Sequence, residues 1–134
     1  MVKYMLIVVA LSMLSFSISS CGKDNEQPVN KAERRIRYIL YTNEDFNNDE
    51  HSITFSVFAR DDNKTVLDSA IETMQVKEIP KIDNKIVIEK TLLTEDTTDL
   101  VVGFVYEIEG VGVSWYLDSV SAGQRNKTIE FAFR

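Results

Sequence analysis

Cysteine is nearly absent from this chain, with one, Cys21, among 134 residues. No intramolecular disulfide can form, so the fold must stand on its hydrophobic core even in an oxidising compartment. Histidine is as scarce, with His51 alone. Zinc takes three or four ligands, mostly His or Cys, and this composition cannot supply them. His51 lies in Asn47-Asn48-Asp49-Glu50-His51-Ser52, and no Gly-x-Ser-x-Gly elbow accompanies it. It reads as a solvated loop histidine. Glycine is sparse at five residues, and no G-x-x-x-x-G-K loop is present to cradle a phosphate. No apolar run reaches the roughly 20 residues that a comfortable membrane-spanning helix needs.

Positive charge is also short, with 15 basic against 21 acidic residues. An acidic chain argues against nucleic acid and against electrostatic adhesion to an anionic membrane. It suits cations, basic partners, or solubility alone. Paired carboxylates are the one catalytic device the composition leaves open, and nothing selects a pair. The expectation is therefore no enzyme.

The N-terminus is more informative. Lys3 precedes an apolar core from Met5 to Leu14, thinned only by Ser12, and small hydroxyl residues follow. This is the three-part layout of a secretory signal peptide. It ends on Ile18-Ser19-Ser20-Cys21, which resembles the bacterial lipobox. The resemblance implies that residues 1–20 are removed and that Cys21 is acylated, becoming the attachment point to a membrane. Loss of Lys3 with residues 1–20 takes the charge from −6 to −7. Two or more acyl chains hold a protein stably, at about 0.8 kcal/mol per buried methylene. Lys23-Asp24-Asn25-Glu26 then resembles the export tag of surface lipoproteins in the Bacteroidota, although Asn25 interrupts the acids. That resemblance implies display on the outer membrane, with the periplasmic face as the other option.

Residues 21–32, with Pro28, read as a polar lipidated tether, and 33–134 as one domain of about 100 residues. Period-2 alternation recurs throughout that domain, and no helical stripe is convincing. Candidate strands are Ile36–Tyr41, Ile53–Phe58, Thr65–Ser69, Met74–Lys77 (ended by Pro80), Lys85–Lys90, Leu100–Glu109, Val113–Leu117 and Ile129–Phe133. The sixth is the clearest, with Leu100, Val102, Phe104, Tyr106 and Ile108 on one face. About eight short strands predict an all-β, two-sheet antiparallel Greek-key sandwich, with a small closed barrel as runner-up. Gly103, inside the sixth strand, is a candidate bulge. The domain resembles the immunoglobulin-like or transthyretin-like sandwiches of small surface lipoproteins, which implies architecture and no functional residues.

Two candidate sites follow. Asp45-x-Asn47-x-Asp49 has the opening spacing of an EF-hand loop, but Glu50 and Ser56 occupy the later positions that want Gly and Glu. It remains a candidate Ca2+ site, with Asp61, Asp62 or the stretch Glu95–Asp99 as further ligands. The competing reading is an Asn/Asp-rich turn, in which those side chains bond their own backbone. The second candidate is aromatic. If Trp115 joins Val113 and Leu117 in the core, Tyr116 is exposed beside Ser114 and Asp118. Tyr41 and Phe58 are also out of phase with their core neighbours. Tyr41 and Tyr116 are thus candidate ligand-binding residues, able to stack a sugar or anchor a protein. The competing reading is that both sheet faces are partly covered, or that these tyrosines pack over the sheet edge. The expected function is a non-enzymatic, lipid-anchored envelope module that binds a protein or a glycan. The alternatives are an accessory subunit using sheet-edge pairing and a calcium-stabilised sandwich.

Overall fold

A computed structural model describes residues 28–134, apart from residue 63. Eight strands form in the order expected: β1 (Lys31–Thr42), β2 (Ser52–Asp61), β3 (Lys64–Ala70), β4 (Met74–Gln75), β5 (Ile86–Glu95), β6 (Leu100–Ile108), β7 (Gly112–Val120) and β8 (Asn126–Phe133). They make a sandwich of two open sheets, not a closed barrel. One sheet has the order β5-β1-β8; the other runs β3-β2-β6-β7, with β4 also on β2. All pairs are antiparallel except β1 with β8, which runs parallel, Arg35 facing Asn126 and Thr42 facing Phe133.

The core follows from alternation. Ile36, Tyr38 and Leu40 of β1 meet Phe55, Val57, Val102 and Phe104 of the facing sheet, all buried. Burying one such side chain contributes about 1.5–3 kcal/mol. Tyr38 stands edge-on to Phe104, ring centroids 5.6 Å apart, and donates its hydroxyl to the Phe58 carbonyl at 2.9 Å. Burial pushes its phenol well above the ordinary tyrosine range. The inner face continues toward the N-terminus through Ala32 and Arg34, both buried. The first strand therefore begins at Lys31, inside the stretch that reads as tether.

Other elements depart from the sequence pattern. β4 is only two residues long, because the chain tightens into a 3-10 turn over Val76–Glu78, with the Glu78 carboxylate accepting the Gln75 N–H at 2.8 Å. β5 runs on to Glu95, held across its length by β1. The bulge lies at Ala59/Arg60, where β2 shifts against β3, and not at Gly103. Gly103 stays in regular register opposite Phe58 and Leu117. Its role is close approach: a methyl there would stand 1.9 Å from the Tyr116 carbonyl oxygen. Between β2 and β3, Asp62 takes a positive φ of 42°, which an aspartate tolerates.

Candidate functional site

Cys21, the expected lipid attachment point, lies outside the described residues. The other candidates can be placed. Asp45, Asn47 and Asp49 lie on the loop that joins β1 to β2. The Asp45 carboxylate accepts the Asn47 N–H at 3.1 Å, and that of Asp49 accepts the His51 N–H at 3.0 Å. Asp49 also meets the His51 ring Nδ1 at 2.7 Å, and these bonds hold its carboxyl below the usual range. Glu50 is held low by Lys77, whose ammonium lies 2.8 Å away. Asp45 and Asp49 each turn one carboxylate oxygen onto their own loop, as an Asn/Asp-rich turn does.

The proposed extra ligands lie at the other end of the sandwich. Asp61 and Leu100 pair there, one full ten-residue strand from Ser52, a distance of about 30 Å. Asp96 takes Arg125 at 3.0 Å and Asp99 takes the Ala122 N–H at 2.7 Å. Among the described residues, no three His, Cys, Asp or Glu side chains gather where one metal ion could be held. The broad concavity beside the β1–β2 loop, about 1000 Å³, is walled by Asp45, Asp49 and Glu50, which are bonded to Asn47, His51 and Lys77, and by Glu109.

Tyr41 is only 8% exposed, on the outer face of the three-stranded sheet. The Glu130 carboxylate beside it, with burial, raises its pKa. Phe58, likewise out of phase, is buried with the Arg60 guanidinium 5.4 Å from its ring centroid.

The larger correction concerns β7. Directly opposed residues of an antiparallel pair share a face, and Phe104, buried, opposes Tyr116. Tyr116 therefore turns toward the facing sheet and stacks on Phe131 at 4.9 Å, with planes 16° apart. It stays 37% exposed because β7 is an edge strand. Asp118 points the same way and binds Lys127 at 3.0 Å. Val113, Trp115 and Leu117, expected in the core, face outward instead, with Trp115 58% exposed. Composition alone suggested that the apolar triplet was internal. The Ile108–Gly112 pairing reverses this, since the intervening Glu109-Gly110-Val111 turn puts the even-numbered residues of β7 inside. That turn length was the available signal.

The outward triplet continues into Val101 and Val105 of β6 and Phe58 of β2. Together they line an apolar trough of about 340 Å³ whose only charged wall is Arg60. Glu107 closes the other end of the face, between Thr54 and Val113. No cation lies within ion-pair distance of Glu107 among the described residues.

No protein-family model, no curated protein and no solved structure matches this chain.

Proposed function

We propose that this chain is a lipid-anchored envelope protein whose sandwich is a non-enzymatic binding module for a protein partner. The observation that carries this reading is the contiguous apolar strip Val113, Trp115 and Leu117, open to solvent beside Val101. Apolar patches of this kind, rimmed by polar groups, are characteristic of interaction surfaces. Aliphatic neighbours around a tryptophan suit a protein anchor better than a sugar platform, which needs polar groups beside the ring. The two-sheet layout supports an immunoglobulin-like or transthyretin-like module, and the Ile18-Ser19-Ser20-Cys21 run supports the lipid address. Lys23-Asp24-Asn25-Glu26 supports the outer-membrane surface.

The test has two arms. Labelled fatty acid enters the full chain and not Cys21→Ala, which leaves the membrane fraction; an unlabelled parent chain removes the lipid address. In-envelope crosslinking to a partner drops about thirtyfold in apparent affinity with Trp115→Ala, the size of a 2 kcal/mol anchor. An unchanged crosslink removes this surface from the reading.

A glycan remains the second reading. It is favoured by the rim depression of about 400 Å³, where Tyr116 and Phe131 meet Glu130 and Arg134. A glycan array separates the two: a hit lost with Tyr116→Ala but not with Trp115→Ala selects the rim.

A further inference from the structure

We infer that the partner of this module supplies an extended, apolar, cationic segment that adds to the open edge of β7. This rests on the binding-module reading above and names the mode and chemistry of that partner.

The sheets end in several edges, and the others carry devices that discourage pairing. β3 holds Lys64 and Asp68 and lies against the register shift, while β4 beside it has two residues. β5 carries Glu89, Lys90 and Glu95; β8 carries Lys127 and Glu130. Charge, bulging and shortness are the usual protections of an edge. β7 has nine residues, no proline, no lysine and no register shift against β6. Its one charge, Asp118, points inward to Lys127.

The backbone direction of β7 is legible from two contacts. The Tyr116 carbonyl points at Gly103 of β6. The Ser119 N–H is given to the neighbouring Asp118 carboxylate at 2.7 Å. In an antiparallel strand, alternate residues aim both N–H and C=O to one side. Val113, Trp115 and Leu117 therefore present their main-chain groups to the open edge. The same three residues present their side chains outward. An added strand gains a ladder and an apolar flank together, which is how strand addition combines affinity with specificity.

Charge at the Val113 end selects the occupant. Glu107 lies one strand inside Val113, about 10 Å from an added strand, within joint reach of a lysine or arginine opposite Val113. Arg60, the cation of the trough, lies at the far end of the face and one strand farther in, opposite Val101. The acidic mature chain, at −7 after loss of Lys3 from −6, favours the same sign. A second copy fits less well, because β7 itself carries no cation to meet Glu107 and two acidic chains repel.

The experiment uses the lipidated full chain in neutral phosphatidylcholine vesicles. The probe is a nine-residue peptide of alternating valine and threonine with lysine at both ends. Trp115, the only tryptophan, reports binding by its emission. A saturable blue shift is expected, with amide exchange of Val113, Trp115 and Leu117 slowed at least tenfold and that of Tyr116 unchanged. Glutamates in place of the lysines weaken binding at least fivefold, and Glu107→Gln narrows that difference. The fully N-methylated peptide, which cannot donate to β7, leaves the emission unshifted. If the methylated peptide binds as well as its parent, the occupant lies on the face, and edge addition is overturned while the binding-module reading stands. If no peptide binds yet Trp115→Ala still abolishes crosslinking in the envelope, edge addition alone fails. If neither effect is seen, both readings fail. Protection of the same three amides by raising protein concentration, without peptide, makes a second copy the occupant and overturns the heterologous partner.

Discussion

Phe58 sits directly opposite Gly103 in the β2–β6 ladder, and both are buried on a sheet face that otherwise looks out to solvent. An aromatic ring across from a strand glycine repairs the loss of side-chain packing there. On the other side Gly103 lets the Tyr116 carbonyl come close. Gly103→Ala should therefore cost about 1–3 kcal/mol as an overpacked site. Denaturant unfolding measures the loss, and β7 amides should exchange faster than those of β2. A neutral substitution would mean that β6 and β7 are further apart than described.

The inversion of β7 sets Trp115 and Tyr116 against each other. Trp115→Ala should change stability by no more than about 0.5 kcal/mol, as exposed sites do. Tyr116→Ala, which loses the Phe131 stack, should cost about 1–2 kcal/mol. Trp115 emission should resemble that of a solvated indole in the folded protein and be readily quenched by acrylamide. Blue, shielded emission that reddens on unfolding would restore the sequence-based assignment.

Arg34 is fully buried, and its Nη2 donates to the carbonyls of Glu95 and Thr98, each at 2.7 Å. It closes the β5–β6 turn from inside. Arg34→Ala should cost about 2–4 kcal/mol through lost charge-assisted bonds and a cavity. Arg34→Met keeps much of the volume and removes a desolvated charge, so it should cost less. Equal losses would assign the whole effect to the hydrogen bonds.

Asp118 makes a pH prediction. Partial burial raises its pKa, but the Ser119 N–H and the Lys127 ammonium outweigh this and hold the carboxyl below its ordinary value. Its folded pKa is depressed, so its stabilisation is present above the unfolded value, about 3.9. It is lost as pH falls through the folded value. Asp118→Asn should thus differ from the parent by at most about 1 kcal/mol at pH 7, and the difference should fade below about pH 4. Thermal melts across pH 2–7 measure it, and a gap that widens in acid would reverse the sign.

Alternation made all eight strands readable, because each core face repeats every second residue, as Leu100, Val102 and Phe104 do. Length was less readable. The extra half of β5 depends on β1, and Val76 and Ile79 are buried through a 3-10 turn with no period-2 pattern. The site was hardest. Ser114, Tyr116 and Asp118 look like an outer face by composition, yet the opposing Phe104 and the Lys127 ammonium make them an inner one. Tyr41 and Phe58 are covered by Glu130 and by Arg60, neighbours that local patterning does not encode. The Asp45–Asp49 loop contained both of its readings, and only the Asn47 and His51 N–H directions favour the turn.

The parallel union of β1 with β8 also has a temporal side. Thr42 donates its hydroxyl to the Phe133 carbonyl across 91 positions of chain. During synthesis the first strand waits with one flank bare until the last strand emerges. Such long loops close slowly, and the waiting chain is exposed to wrong pairings. A nascent chain halted after β7 would hold β1 open in addition to the edges of the finished fold, so the period before β8 arrives is when this protein most needs a chaperone.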